Sequence, residues 1–245
     1  MRVMCTGRID PTLVFRGFAN GADGIIIVGC LLNECNYTTH GNYAALNKIH
    51  LCRRIMEYVG IDPVRLRIEF MSSGEGILFA DTLNDFVASI KKLGPLGRGE
   101  GMNAAELKSN ARQIIRLVPY IKLTMKDKLA VRPATLDEYE QLYTPGDIEG
   151  LFRGMVSYHI DPERCRACMI CLRRCPVEAI SGGKGQRHAI DQTKCIRCGT
   201  CLNVCPQRFG AVVMRPAAEQ LFLSSHPAPP DASGGAKSAA PQDSH

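Results

Sequence analysis

No stretch of this chain is long and apolar enough to cross a membrane: its longest apolar run, Ile25 to Leu32, is broken by glycine. Nor does it open with the charged-then-apolar segment of an exported protein, so a cytoplasmic, reducing compartment is expected. Tryptophan is absent and aromatic residues make up only 6%. The net charge of +6 is concentrated: Tyr158 to Arg215 holds ten Lys and Arg against four Asp and Glu, and the remainder balances at twenty of each. That basic stretch has no interleaved aromatics and no recognisable module, which argues against nucleic acid as a partner. It suits an acidic partner surface, offsets negative charge gathered on thiolates, or is simply solvated. The Gly97–Gly101 glycine run follows a helical pattern rather than a strand, which excludes a dinucleotide fingerprint. Nothing pairs a nucleophile with a base or resembles a nickel site or flavin fingerprint, so no substrate of its own is expected.

What the chain has in quantity is cysteine, twelve in 245 residues. Eight of them form a doubled run, C-x2-C-x2-C-x3-C-P: Cys165, Cys168, Cys171, Cys175 and Pro176, then Cys195, Cys198, Cys201, Cys205 and Pro206. Three thiolates at these intervals reach three corners of a cubane when the loop coils around it. The fourth, turned away by the proline, points to the other cluster. The spacing therefore predicts one [4Fe–4S] cluster on Cys165, Cys168, Cys171 and Cys205, and a second on Cys195, Cys198, Cys201 and Cys175. Zinc ribbons use two well-separated C-x2-C pairs instead. A disulfide scaffold would need an oxidising compartment. An Ile-Asp pair precedes each first cysteine at the same distance, marking an internal repeat. From about Met155 to Arg215 the chain resembles the two-cluster bacterial ferredoxins.

Ahead of this repeat the pattern alternates strand and helix. Arg2–Cys5 reads as a short strand. Asp10-Pro11 reads as an N-cap and first helical residue, opening a helix to Ala19. Ile25–Val28 is a β-branched run of the kind buried on both faces. A helix is expected over about 42–59, a third strand over 66–71, and a third helix to Leu93 opened by a Ser72-x-x-Glu75 capping box. Such alternation predicts a parallel sheet with right-handed crossovers. Cys5 and Cys30 would then lie side by side at its carboxyl edge, where open α/β sheets place ligands. Cys35 lies on the loop above it, so three thiols are expected to converge as a metal centre. Cys52 falls on an apolar stripe with Ala45, Ile49, Met56 and Val59 and is expected to be a buried core thiol.

The pieces VMCTGRIDP, GADGIIIVGCLLNECNYTTHGNYAA and GIDPVRLRIEFMSSGEG, continuing to Pro95, resemble the delta, iron–sulfur subunit of methyl-viologen-reducing [NiFe]-hydrogenases. The resemblance implies a [2Fe–2S] cluster with Cys5, Cys30 and Cys35 as matching ligand candidates. It also implies electron passage between a hydrogenase or formate dehydrogenase and heterodisulfide reductase. Two features depart from the family. Its loop between the second and third cysteines usually reads His-Pro-Gly-Asp, where this chain has Leu31-Leu32-Asn33-Glu34. The family also begins further upstream, with a strand and more cysteines. An upstream extension, or a partner subunit, is therefore expected to supply a strand and the fourth ligand; an in-frame UGA read as selenocysteine is one route.

The organisation expected is a hydrogenase delta-subunit-like α/β parallel-sheet domain over 1–95, N-terminally incomplete. A helical linker follows over 96–154, opened by a flexible glycine joint. An α+β ferredoxin-type domain spans 155–216, and a short helix and disordered tail span 217–245. The function expected is non-catalytic electron relay in an oxidoreductase complex with a heterodisulfide-reductase-like flavoprotein. An iron–sulfur sensor or assembly module, with the helical stretch 103–131 as output, and a stand-alone ferredoxin are the alternatives.

Overall fold

A computed structural model of the chain describes residues 2–217; apart from Ala217, the short helix and tail expected over 217–245 lie outside them. The N-terminal sheet has two strands among the described residues, β1 (Ile25–Gly29) and β2 (Leu66–Phe70). They pair in parallel with Ile27 opposite Ile68. Arg2–Cys5 forms no strand, contrary to expectation. It has no ladder partner for its backbone groups, and the chain instead enters a 3-10 turn at Thr6–Arg8 capped by Cys5, whose Sγ accepts from Gly7 N at 3.4 Å. Lacking that neighbour, β1 is only partly covered: Ile27 alone on it is buried.

Helix α1 (Pro11–Ala19) starts as the sequence predicts, with Asp10 accepting from Thr12 N at 2.9 Å and Pro11 in the first turn. Helix α2 (Asn42–Tyr58) runs through the core, and Cys52 is fully buried on it. The Ser72–Glu75 box closes a turn rather than capping a helix. Glu75 accepts from Ser72 N at 2.6 Å, and α3 (Gly76–Leu93) begins only afterwards. That helix lies largely in solvent: Phe86 is its one buried residue, and Ile77, Phe79 and Val87 are exposed.

The segment expected to be a linker is part of the same core. Helix α4 (Ala104–Thr124) lies along α1 and buries Leu107, Ala111, Ile114 and Val118; it passes through Pro119 and ends five residues later. Short helices α5 (Lys126–Ala130), α6 (Leu136–Gln141) and α7 (Pro145–Arg153), with the turn between the last two, close over α2, adding Tyr139, Tyr143, Ile148 and Leu151. The apolar stripes on these helices could be buried only against α1 and α2, so a bridge standing apart in water would have left them exposed. The glycine joint is likewise tied down. Arg65, 1% exposed, pairs with Glu100 at 2.5 Å and donates to the carbonyls of Asp23 and Gly94, while Asp23 accepts from Leu96 N at 2.7 Å.

The C-terminal unit is built twice. Strand β3 (Val156–Ile160), helix α8 (Ile170–Arg174) and strand β4 (Ile180–Gly183) are followed by β5 (Gln186–Ile190), α9 (Thr200–Val204) and β6 (Val212–Pro216). The antiparallel pairs β3–β6 and β4–β5 join the copies.

Candidate metal centres

The repeat is reproduced bond by bond. Asp161 N donates to Ala211 O and Asp191 N to Ala179 O, both at 2.7 Å, and Cys165 N and Cys195 N each donate back to those aspartates' carbonyls at 3.0 Å. The carboxylates of Asp161 and Asp191 accept from Glu163 N and Thr193 N. Ala167 and Arg197 both take positive φ (53° and 56°), as do Met169 and Gly199 (66° and 75°). Left-handed turns at these fixed places give the two loops the same backbone course.

Among the described residues no three His, Cys, Asp or Glu side chains close around a single-ion position. The sulfurs nevertheless fall into sets. Burial pushes the Cys171 thiol up, and Cys168, Cys165 and Cys205 add to the effect as neighbouring charges. Cys175 lines one small cavity with Cys195, Cys198 and Cys201, and Tyr158 lines it too. Burial also raises Cys195, and raises Cys201 to about 11, with the other thiols of the set adding to the shift. Crowded thiols of this kind hold their protons until a metal draws them off. Their donor chemistry, four thiols per set with the fourth taken from the opposite copy, fits a four-thiolate cluster.

The N-terminal cysteines come together from three places: Cys5 capping its turn, Cys30 just beyond β1, and Cys35 on the following loop. All three line a cleft of about 610 Å³ at the carboxyl end of β1 and β2. Burial and the neighbouring Cys35 raise Cys30. Burial pushes Cys35 up, but the backbone N–H groups of Asn42 and Tyr37 and the thiols of Cys30 and Cys5 together outweigh it and hold Cys35 below its ordinary range. The two sulfurs therefore sit close enough for each to shift the other, in opposite directions. Residues not foreseen from the sequence hold the loop. Asn42, 1% exposed, donates to the carbonyls of Cys30 at 3.0 Å and Leu31 at 2.7 Å. Gly41 lets the loop approach, since a Cβ there would run into Cys35 Sγ and the Tyr37 carbonyl. Thr6 lines the same cleft, its buried hydroxyl without a hydrogen-bond partner among the described residues. An asparagine opening a helix is an ordinary sequence feature, and nothing in HGNYAA distinguishes its role. Cys52 stays apart, packed in the core, with burial pushing its thiol far up.

A doubled thiol repeat whose fourth cysteines cross between the copies, beside an α/β unit, is the arrangement of an iron–sulfur electron-transfer protein. Comparison with known proteins gives the narrower placement. Residues 1–94 match the family model described as methyl-viologen-reducing hydrogenase, delta subunit, and residues 164–210 that of a 4Fe-4S dicluster domain. An iron-sulfur subunit of the F420-non-reducing hydrogenase of Archaeoglobus profundus is 43% identical over 95 residues, 39% of this chain and 69% of the relative. A subunit of the ferredoxin:CoB-CoM heterodisulfide reductase of Methanosarcina mazei is 38% identical over 97 residues, 40% of this chain but only 12% of that much longer one. The chain belongs to the methyl-viologen-reducing hydrogenase delta-subunit family, with a dicluster ferredoxin domain joined to it. No helix among the described residues is long and apolar enough to cross a membrane.

Proposed function

We propose that this chain relays single electrons from a hydrogenase or formate dehydrogenase to a heterodisulfide-reductase-like flavoprotein. In this reading Cys165, Cys168, Cys171 and Cys205 hold one [4Fe–4S] cluster and Cys195, Cys198, Cys201 and Cys175 the other. Cys5, Cys30 and Cys35 supply three ligands of a [2Fe–2S] cluster, which takes four. When bound, such clusters carry one electron at a time. The protein's part is to fix their ligands, shield them and present the ends of the relay to partners. The observation that carries the reading is the sharing of one cavity by Cys175 with Cys195, Cys198 and Cys201, across the repeat. The relatives' names support the setting: an iron-sulfur component of a hydrogenase in one case, a component of a heterodisulfide reductase in another. The basic surplus over 158–215 suits docking to an acidic partner surface. A sensor reading would need α4 as a free output element, and its packing against α1 weighs against that.

The test is anaerobic reconstitution of the full chain followed by reduction through candidate donors. About eight irons per chain should belong to two cubanes, with any [2Fe–2S] signal additional. The reduced chain should pass electrons to a heterodisulfide-reductase-like flavoprotein and evolve no hydrogen by itself. Unaided hydrogen evolution or disulfide turnover would refute the relay reading.

A further inference from the structure

Among the differences between the two copies of the repeat, two positions are coupled in space. At the position seven before the first cysteine of each run stand Tyr158 and His188. At the left-handed position two before the third cysteine stand Met169 and Gly199. Each ring packs on the loop of the opposite run. Tyr158 fills the room above Gly199, where an added Cβ would stand 2.9 Å from Tyr158 Oη. The smaller ring of His188 leaves space for Met169, whose Sδ lies 3.4 Å from His188 Nε2. Met169 keeps a positive φ that costs a non-glycine residue about 1–2 kcal/mol.

The exchange places a nitrogen beside a ligand sulfur. His188 Nδ1 lies 3.5 Å from Cys171 Sγ, and both residues are buried, at 3% and 7% exposure. Met169 Sδ is only a weak acceptor and a thiolate is a strong one, so an N–H at Nδ1, facing Cys171, makes the stronger hydrogen bond. Resting on the ligand assignment above, we propose that His188 is a positioning residue for electron transfer. Its Nδ1–H donates to the Cys171 thiolate and raises the reduction potential of the cluster held by Cys165, Cys168, Cys171 and Cys205. A hydrogen bond to a ligand sulfur stabilises the reduced form, which carries more negative charge, and burial strengthens it. Tyr158 makes no hydrogen bond to a cysteine sulfur among the described residues. The side chain near a sulfur in that half is Thr200, with Oγ1 3.3 Å from Cys198 Sγ in a less buried contact.

Redox titration of the reconstituted full chain, followed by electron paramagnetic resonance, tests this. The double variant His188→Tyr with Met169→Gly rebuilds the packing of the other copy without the imidazole. It should keep both cubane signals and the iron content. One couple should become harder to reduce by about tenfold in its one-electron equilibrium, or about 59 mV, with the other unmoved. His188→Gln, which keeps an N–H donor, should lose less than half of that shift. Thr200→Val should move the other couple, by less. Intact signals with both couples unmoved in the double variant would overturn the role of His188 alone, as would a Gln variant as low as the double variant. An unaltered chain without cubane signals would remove the ligand assignment and this proposal together.

Discussion

In the C-terminal half every cysteine belongs to a local run, and one backbone pattern coils both loops. In the N-terminal half Cys5, Cys30 and Cys35 reach one cleft from a capped turn, a strand end and a loop, and they meet only because the surrounding core is folded. The first arrangement is written in eleven-residue segments and needs the rest of the chain only for the fourth ligand. The second depends on tertiary packing throughout. Damage to a single loop should therefore stay within the C-terminal repeat, whereas damage to the core should scatter the N-terminal thiols.

The largest effect is expected where the repeat crosses over. Cys175→Ala removes one thiol from the set with Cys195, Cys198 and Cys201. It should cost that cluster, and about half of the cubane iron, while sparing the cluster next to it in sequence. Spectroscopy showing loss of the Cys165–Cys171 cluster instead would break the crossed arrangement.

Next in size is the core. Arg65→Met leaves the Glu100 carboxylate buried without its partner and frees the glycine segment from the sheet. Breaking a buried pair from one side costs about 3–5 kcal/mol. Chemical denaturation should show a loss of that order, and the three N-terminal thiols should alkylate alike as the cleft opens. A stable variant with an intact cleft would refute the dependence on packing.

A smaller and more local effect is expected at Asn42. Asn42→Ala strands the carbonyls of Cys30 and Leu31, at about 1–3 kcal/mol. The loop should loosen, the groups that hold Cys35 below its ordinary range should be displaced, and its neutral-pH alkylation rate should fall toward that of an ordinary thiol. The C-terminal clusters should be unaffected; a change there would blur the contrast between the halves.

The same contrast explains what could be read from the sequence. The doubled cysteine run, its Ile-Asp lead-ins and the helix opened by Asp10-Pro11 depend on neighbours a few residues apart. Placing Cys5 on a strand failed because a strand exists only with a partner to bond to, which periodicity does not reveal. The segment 96–154 read as a linker because helical stripes show that a face is apolar, not which surface covers it. Asn42 and His188 escaped notice for a related reason. Each acts on atoms far along the chain, Asn42 on Cys30 and Leu31 and His188 on Cys171. The Tyr158–His188 difference was visible in the aligned repeats, but its meaning lies in the contact.

The smallest expected effect separates the halves by pH. His50 on α2 is partly buried, stacks on Tyr139 at 6.1 Å, and has Arg53 and Arg54 beside it. Burial, then the two guanidinium groups, lowers it to about 4. Above about pH 6.5 the imidazole is neutral in both folded and unfolded chains and contributes nothing to the pH dependence. Between about 6.5 and 4 the unfolded chain takes up a proton that the folded chain refuses, so stability falls as the pH is lowered through this window. Below about 4 both forms are protonated and the loss stops growing. The ring is partly open to solvent, so screening reduces the loss to about 1–2 kcal/mol. His50→Gln should flatten the slope of denaturation midpoint against pH in this window and leave the cubane signals as they were. A slope unchanged by the substitution would place the acid sensitivity elsewhere, and a slope that followed the cubane signals would place it in the C-terminal repeat.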